Sequence, residues 1–197
     1  MLARKQFIGK GLLDSLIHLP LVLPPVVIGY LLLVLMGRQG ILGAWLAEHF
    51  GLVFSFSWKG ATLACIVVAL PLMVRSIRLS LESVDTKLEQ AAATLGASSW
   101  RVFMTITLPL TIPGIITGTM LSFARSLGEF GATISFVSNI PGETQTIPLA
   151  MYNFIETPGS ELEAARLCAI SIVIALASLL ISEWMARRTA KRLGAVR

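Results

Sequence analysis

The sequence predicts an all-α integral membrane protein, with about four to five transmembrane helices at the usual length of a span and one helical region on the cytoplasmic side. Three observations predict this class. Of 197 residues, 55% are hydrophobic and 14% are charged, and the mean hydropathy of +0.79 is too high for a soluble globular domain. Several apolar runs are near the length that crosses about 30 Å of hydrocarbon. The charged side chains lie mostly between these runs.

The first apolar run, Leu16 to Met36, contains no Asp, Glu, Lys or Arg and is long enough to span a bilayer. Its interior holds Pro20, Pro24, Pro25 and Gly29, which would break a helix in water. Within a membrane such residues are tolerated where neighbouring helices satisfy the freed carbonyl groups. Two interpretations remain open: a kinked packing helix, or a pore-lining helix in which Pro24, Pro25 and Gly29 shape the pathway.

The next segments predict a loop and a second span. Residues Gly37 to Lys59 are rich in glycine, phenylalanine and tryptophan, and we expect a loop at the level of the lipid headgroups. The run Gly60 to Val74 is marginal for a crossing, so we expect the helix to extend at either end. Pro71 is expected to kink it near its inner end.

A more polar stretch from Leu88 to Pro113 predicts two amphipathic helices separated by Gly96. The second is expected to end where Leu108-Pro109 turns the chain into the membrane. The apolar side chains of the first fall on one helical stripe, formed by Val84, Leu88, Ala91, Ala92 and Leu95. By itself this pattern is typical of a helix that lies on the bilayer surface.

The chain then crosses back through Ile112 to Leu127 and carries two charges at membrane depth. Arg125 and Glu129 are four residues apart and would pair if the helix continued that far. Charges in a membrane face protein or water rather than lipid. Two interpretations remain open: a structural ion pair, or a path for an anion lined by Arg125 and Glu129, with Gly128 and Gly131 allowing close approach of the backbone.

The distribution of Lys and Arg predicts the orientation. Pro141 to Arg166 is the longest polar stretch, and Leu167 to Met185 is the last predicted span. If both termini are cytoplasmic, the inner segments carry 12 basic residues and the outer loops carry 3, with Arg125 left in the membrane. This is the positive-inside pattern, and it puts the Leu88 to Pro109 stretch in the cytoplasm.

The sequence lacks the motifs that several functional classes of protein require. No basic face interleaved with aromatic residues indicates nucleic-acid binding. Cys65 and Cys168 lie in apolar runs and predict no disulfide, and His18 and His49 lack the spacing of metal ligands. No catalytic motif of an intramembrane enzyme is present, and no phosphate-binding loop. An ATP-independent channel and a structural membrane subunit remain open alternatives.

The spacing of the polar stretch resembles the cytoplasmic signature of ABC-importer permeases, which reads Glu-Ala-Ala, three residues, Gly, nine residues, Ile-x-Leu-Pro. Gln90 stands in place of the glutamate, and Glu89 beside it points about 100° around the helix. The resemblance implies a coupling helix that docks into a groove of an ATP-hydrolysing subunit. The residues it implies are Glu89, Gln90, Ala91, Ala92, Gly96, Ile106, Leu108 and Pro109.

Three longer segments, which begin at Leu13, Val84 and Phe123, resemble one narrower group of these proteins, the molybdate ABC transporter permeases. The resemblance implies one permease domain over residues 1–197, with its coupling-helix region at 79–109. It implies a homodimer in the bacterial inner membrane, in contact with lipid and not with nucleic acid. Two ATP-binding subunits that carry ATP and magnesium, and a periplasmic molybdate-binding protein, would complete the transporter. This chain would bind no cofactor or metal and would not itself be an enzyme.

Two further expectations follow from the same resemblance. Permeases for sulfate and tungstate are similar, and the signature does not separate them from molybdate permeases. Members of the family usually have a further hydrophobic helix before the position of Met1, and Met1 to Arg4 resembles its last turn. We therefore expect a permease fold that lacks the usual first helix.

Overall fold

The computed structural model describes residues 6–192, and side chains as far as Arg188; within that range every regular element is helical. The predicted all-α class is confirmed. The elements in chain order are α1 Lys10–Val22, α2 Pro25–Met36, α3 Ile41–Phe50, α4 Trp58–Glu82, α5 Thr86–Thr94, α6 Ser99–Val102, the π turn Phe103–Thr107, α7 Leu108–Leu127, α8 Gly131–Val137, α9 Ile147–Glu156 and α10 Glu161–Arg192. The proposed last turn of a missing helix, Met1 to Arg4, lies outside the described residues.

Three helical stretches are long and apolar enough to cross a membrane: Trp58–Glu82, Ser99–Leu127 and Glu161–Arg188. The second joins α6, the π turn and α7 into one continuous helix. Counting the bent pair α1 and α2 as one further span gives four within the described residues. This is the lower end of the predicted number.

The proline-rich run is not one kinked helix. Helix α1 ends at Val22, α2 begins at Pro25, and the two axes are bent by 118°. Pro24 is extended, with φ −55° and ψ 135°, and Pro25 occupies the first position of α2, where no backbone donor is needed. Pro20, in contrast, is accommodated inside α1. The paired prolines therefore break the run, and either a broken span or a re-entrant loop results.

Other element boundaries also differ from those predicted. The expected loop Gly37 to Lys59 contains α3, which ends at Gly51 with φ 65°. Helix α4 extends beyond Gly60 to Val74 at both ends, as expected, and continues through Pro71. Helix α10 begins at Glu161 rather than Leu167. These differences arise because glycine and acidic residues are tolerated at helix ends, where hydropathy alone predicts loops.

Helix α1 buries none of its residues and is held to α4 by charged side chains. Arg78 Nη1 lies 2.9 Å from Asp14 Oδ1, and Arg78 Nε lies 2.9 Å from Glu82 Oε1. His18 Nδ1 lies 2.8 Å from the Asp14 carbonyl oxygen, within the same helix. The contact of Arg78 with Asp14 joins the first half of α1, which is remote from the break at Pro24, to α4.

Helices α4 and α7 form a close antiparallel pair through small residues. Lipid chains are as apolar as the helices, so the hydrophobic effect does not drive helices together within a membrane. Close packing of the backbones and interhelical hydrogen bonds stabilise the pair instead. Four serine hydroxyls donate to carbonyl oxygens of the opposite helix at 2.8 to 3.5 Å: Ser76 to Gly114, Ser80 to Thr111, Ser122 to Ala69 and Ser126 to Cys65.

Replacing Gly114 with alanine is expected to destabilise this pair. An added Cβ would lie 2.2 Å from Ser80 Cβ, which is not the free end of a flexible side chain. Overpacking of this kind costs about 1–3 kcal/mol, more than the roughly 1 kcal/mol of helix propensity that alanine gains over glycine. Thermal unfolding of the purified protein in detergent would measure the loss. Gly11→Ala is the matched control, because its Cβ would meet nothing within 4 Å.

A second change tests the same contact from the other side. Ser80→Gly combined with Gly114→Ala should recover much of the lost thermal stability, since the added methyl then has room. An unchanged melting temperature in Gly114→Ala alone would contradict the close approach of α4 and α7 at this point.

Candidate coupling and pathway sites

Both ends of α5 are set by local side-chain and backbone geometry. The Asp85 carboxylate accepts a hydrogen bond from the Lys87 backbone N–H at 2.9 Å and caps the first turn. Gly96 has φ +83°, its N–H donates to the Ala93 carbonyl, and the Ala97 N–H donates to the Ala92 carbonyl. This pair of bonds is the Schellman motif that ends many helices at glycine. The predicted stop at Gly96 is confirmed.

The apolar stripe of α5 faces outward. Leu88 is 49% exposed and Leu95 is 88% exposed, whereas Val84, just before the helix, is buried. Gln90 and Ala91 are also exposed, and Trp100 of α6 is 67% exposed. We call the residues Leu88, Ala91, Leu95, Gly96 and Trp100 the α5 surface. A contiguous apolar surface of this kind marks a site that contacts another protein or a membrane.

Glu89 lies on the opposite, inner side of α5. Its carboxylate accepts a hydrogen bond from the hydroxyl of Thr107, the last residue of the π turn. Thr107 is 5% exposed, so this bond satisfies a polar group that is almost completely removed from solvent. Among the residues implied for coupling, Glu89 therefore makes a contact within its own chain, while Gln90 is exposed beside it on the same side of the helix.

The expected turn at Leu108-Pro109 does not occur. The helix runs without interruption from Ser99 to Leu127, and it widens to π geometry over Phe103–Thr107. In that segment the Leu108 N–H donates to the Phe103 carbonyl, five residues back. Because Pro109 has no N–H and its ring would clash with the carbonyl four residues before it, a wider turn accommodates the proline without a break. Ile106, Leu108 and Pro109 are half-buried in this stem.

A cleft of about 710 Å³ separates α5 from the stem formed by α6 and the π turn. Both polar and apolar side chains line it, among them Glu89, Gln90, Ala93, Val102 and Thr107. The cleft lies beside the hydrogen bond between Glu89 and Thr107. It is open enough for a side chain of another protein to enter.

Arg125 and Glu129 form the ion pair although the helix ends before Glu129. Helix α7 stops at Leu127, and the Arg125 Nη1 to Glu129 Oε2 distance is 2.7 Å. The second carboxylate oxygen of Glu129 accepts from the Ala132 N–H at 2.7 Å, at the start of α8. Glu129 is 1% exposed and the Arg125 side chain is 30% exposed. The pair thus joins α7 to α8 and leaves part of the guanidinium accessible.

The glycines predicted to line a pathway lie at a helix contact. A Cβ on Gly29 would be 2.5 Å from the Ala132 carbonyl oxygen, and one on Gly131 would be 2.8 Å from Pro25 Cβ. These two positions let α2 and α8 pack closely beside the buried core around Phe136. Their geometry is that of packing residues. Pro24 and Gly128 are exposed, and a Cβ on Gly128 would meet nothing within 4 Å.

The sequence agrees with a known family over almost its whole length. The model of the family described as binding-protein-dependent transport system inner membrane component matches residues 1–194. This chain belongs to that family. The assignment agrees with the all-helical fold and with the apolar spans described above.

Individual relatives of this transport component differ in how similar they are to it. The chain is 68% identical over 194 residues to a molybdenum transport system permease protein of Haemophilus influenzae, covering 98% of this chain and 85% of that protein. It is 42% identical over 175 residues to a sulfate transport system permease protein of Synechococcus elongatus, covering 87% of this chain and 61% of that protein.

A solved structure supports the fold of the transport component. The crystal structure of a bacterial ABC transporter involved in the import of alginate has a chain that matches with a TM-score of 0.73. The match covers 95% of this chain and 69% of that one at 18% sequence identity. At this identity the similarity establishes the fold alone.

Sequence reasoning missed several residues that hold the transport component together. The serines between α4 and α7 were not singled out, although small and hydroxylated residues repeated within a span are a known signal of helix contact. The hydrogen bonds of Thr107 and Thr111 were not predicted either. Their sequence signal is weak: each threonine lies two residues before a proline, Pro109 or Pro113. The capping role of Glu129 at α8 had no signal, because α8 itself was not predicted.

Proposed function

We propose that this chain is the transmembrane permease of a molybdate importer, in which ATP hydrolysis by partner subunits drives passage of the oxyanion. The observation that carries the proposal is 68% identity, over 98% of the chain, to a relative named as a molybdenum transport permease. A relative named as a sulfate permease is 42% identical, which makes sulfate the less favoured cargo. The whole chain acts as one permease domain.

The proposed assembly is a homodimer in the bacterial inner membrane, with two ATP-binding subunits on its cytoplasmic side and a periplasmic molybdate-binding protein outside. ATP and magnesium are held by the ATP-binding subunits, and this chain has no enzymatic activity of its own. The exposed apolar length of α10, which includes Leu176, Leu179 and Leu180, supports contacts with lipid and a second copy. Lys and Arg distribution supports cytoplasmic termini.

The proposed contact with the ATP-binding subunit is the α5 surface, within the coupling region 79–109. The support is the exposure of Leu95, Ala91 and Trp100 around the turn at Gly96, because apolar side chains exposed beside a small-residue turn favour close docking of a partner. Ile106, Leu108 and Pro109 anchor this region to the membrane. Pathway roles of Arg125, Pro24 and Gly128 are part of the same proposal.

Uptake of labelled molybdate into vesicles tests the proposed function. The vesicles contain this chain, its ATP-binding subunit and the binding protein, and sulfate is added in excess as competitor. We expect uptake that requires ATP and resists sulfate. Uptake without ATP would indicate a channel instead, and uptake abolished by sulfate would change the cargo assignment. A chain that inserts but neither takes up molybdate nor binds an ATP-binding subunit would indicate a structural subunit.

A further inference from the structure

A series of hydrogen bonds connects α5 to the membrane helices α4 and α7. The Glu89 carboxylate accepts from the Thr107 hydroxyl, and the Thr107 carbonyl accepts from the Thr111 hydroxyl. The Thr111 carbonyl in turn accepts from Ser80 Oγ at 3.4 Å. Four side chains thus join the helix that carries the α5 surface to the tightly packed pair that crosses the membrane.

The central members of this series are buried. Thr107 is 5% exposed and Thr111 is 4% exposed, and a polar group removed from solvent requires a partner. The bond from a hydroxyl to a carboxylate is charge-assisted and stronger than a bond between neutral groups. Loss of the Thr107 hydroxyl would therefore leave the carboxylate of Glu89 without one of its bonds and free α5 from the stem at this point.

The π turn gives the series a point at which its geometry can change. Thr107 ends a five-residue π segment in a helix that is otherwise α-helical from Ser99 to Leu127. A π segment can convert to α geometry by moving each hydrogen bond to the carbonyl one residue closer, which gives two discrete arrangements of the same residues. Pro109 favours the π arrangement, because its ring would clash with the carbonyl four residues before it in α geometry, so the two arrangements differ in energy.

We propose that the bond between Glu89 and Thr107 is the positioning contact that transmits movement of α5 to α7. This inference rests on the proposed function, in which a partner moves α5. Leu88, Ala91 and Leu95 meet the partner on the outer side of α5, and Glu89 holds the inner side to the π turn. When α5 shifts, Thr107 shifts with it, and the change passes through Thr111 and Ser80 to the α4 and α7 pair.

The test uses the complete transporter in vesicles and measures molybdate ions taken up per ATP hydrolysed, together with the ATP-binding subunit that co-purifies. Thr107→Val removes the hydroxyl and keeps the shape of the side chain. We expect about two- to thirtyfold fewer ions per ATP, the fold-change that corresponds to the coupling energy carried by residues between two sites, with co-purification unchanged. Thr107→Ser retains a hydroxyl and should restore most of the ratio.

Thr105→Val is the matched control. It lies in the same π turn, is exposed, and its hydroxyl donates only locally in this structure, to the Arg101 carbonyl at 2.7 Å. It should leave the ratio of ions to ATP unchanged. Glu89→Ala removes the same bond from the less buried side, so the measurement does not depend on the folding of one variant. Combining it with Thr107→Val should be no worse than either change alone.

Three results would overturn the inference. A ratio equal to that of the unaltered chain in Thr107→Val and Glu89→Ala would remove the transmitting role. Loss of co-purification in both would mean that the bond only maintains the structure of α5. Absence of ATP-dependent uptake by the unaltered chain would overturn the proposed function and, with it, this inference. The first two results would overturn this inference alone and leave the proposed function intact.

Discussion

Replacing Gly96 with leucine is expected to abolish ATP-dependent uptake while the chain still inserts into the membrane. Gly96 has φ +83°, a conformation that costs a side-chain-bearing residue about 1–2 kcal/mol. Within the chain its Cβ would meet nothing within 4 Å, so the fold has room for it. The added bulk projects instead from the α5 surface, beside Leu95 and Ala91, where a partner would have to approach closely. Backbone strain and lost contact therefore act together on docking.

Uptake and co-purification of the ATP-binding subunit, normalised to inserted protein, measure this effect. We expect both to fall by at least about tenfold, since 1.4 kcal/mol corresponds to a factor of ten and the strain alone approaches it. Gly159→Leu is the matched control, because Gly159 has φ +87° and equally open surroundings but lies between α9 and α10. Gly96→Asn adds a side chain with little backbone strain, since asparagine tolerates φ above zero, so it tests the added bulk by itself. Normal uptake by Gly96→Leu would remove the coupling role of this turn.

Replacing Arg125 with alanine is expected to lower the amount of folded protein in the membrane several-fold. Glu129 is 1% exposed and its Oε2 lies 2.7 Å from Arg125, so the change leaves a buried carboxylate without its cation. Removing one partner of a buried pair costs about 3–5 kcal/mol, and the partial exposure of Arg125 makes the lower value the better expectation. This is a large part of the total stability of a typical protein, about 5–15 kcal/mol. The amount of folded protein extracted in mild detergent would measure the loss.

A double change separates the two interpretations of the pair. Arg125→Met with Glu129→Gln removes both charges and retains an oxygen for the Ala132 N–H, so folded protein should return. Folded protein without uptake would support a role for the Arg125 charge in the anion path, whereas recovery of both would leave a structural pair only. Arg187→Ala is the matched control, because Arg187 and Glu183 pair at the same spacing but are 73% and 58% exposed. Its effect should be small, as for other surface pairs.

The properties predicted well from sequence are local ones. The membrane class follows from the length and hydropathy of the apolar runs, which a bilayer requires of any spanning helix. The stop at Gly96 follows from the backbone freedom of glycine. The helix α3 was missed because its glycine and aromatic composition resembles that of a loop at the headgroup level, and nothing in a short segment distinguishes the two.

The candidate coupling site was predicted as a region but not as a set of contacts. The spacing of Gln90, Ala91, Ala92 and Gly96 predicts the stretch, whose coupling role stays a prediction, and the structure separates its two sides. Periodicity predicts which residues share a face of α5, but it cannot say which face meets the rest of the chain. The apolar stripe, which would be buried in a soluble protein, is exposed here, and Glu89 faces inward.

By itself the sequence determined the membrane class, the number of spans within one and the turn at Gly96, because each depends on neighbouring residues alone. Only the tertiary structure decided the break of 118° between α1 and α2, the bond from Glu89 to Thr107, and the packing of Gly29 against Ala132. Each of these depends on distances between segments far apart in the chain, which are set by how whole helices pack. The ion pair between Arg125 and Glu129 was predicted from sequence for a reason that proved incomplete. Their spacing of four residues predicts the pair within one helix, but α7 ends at Leu127. The fold beyond the end of the helix therefore brings the two side chains together.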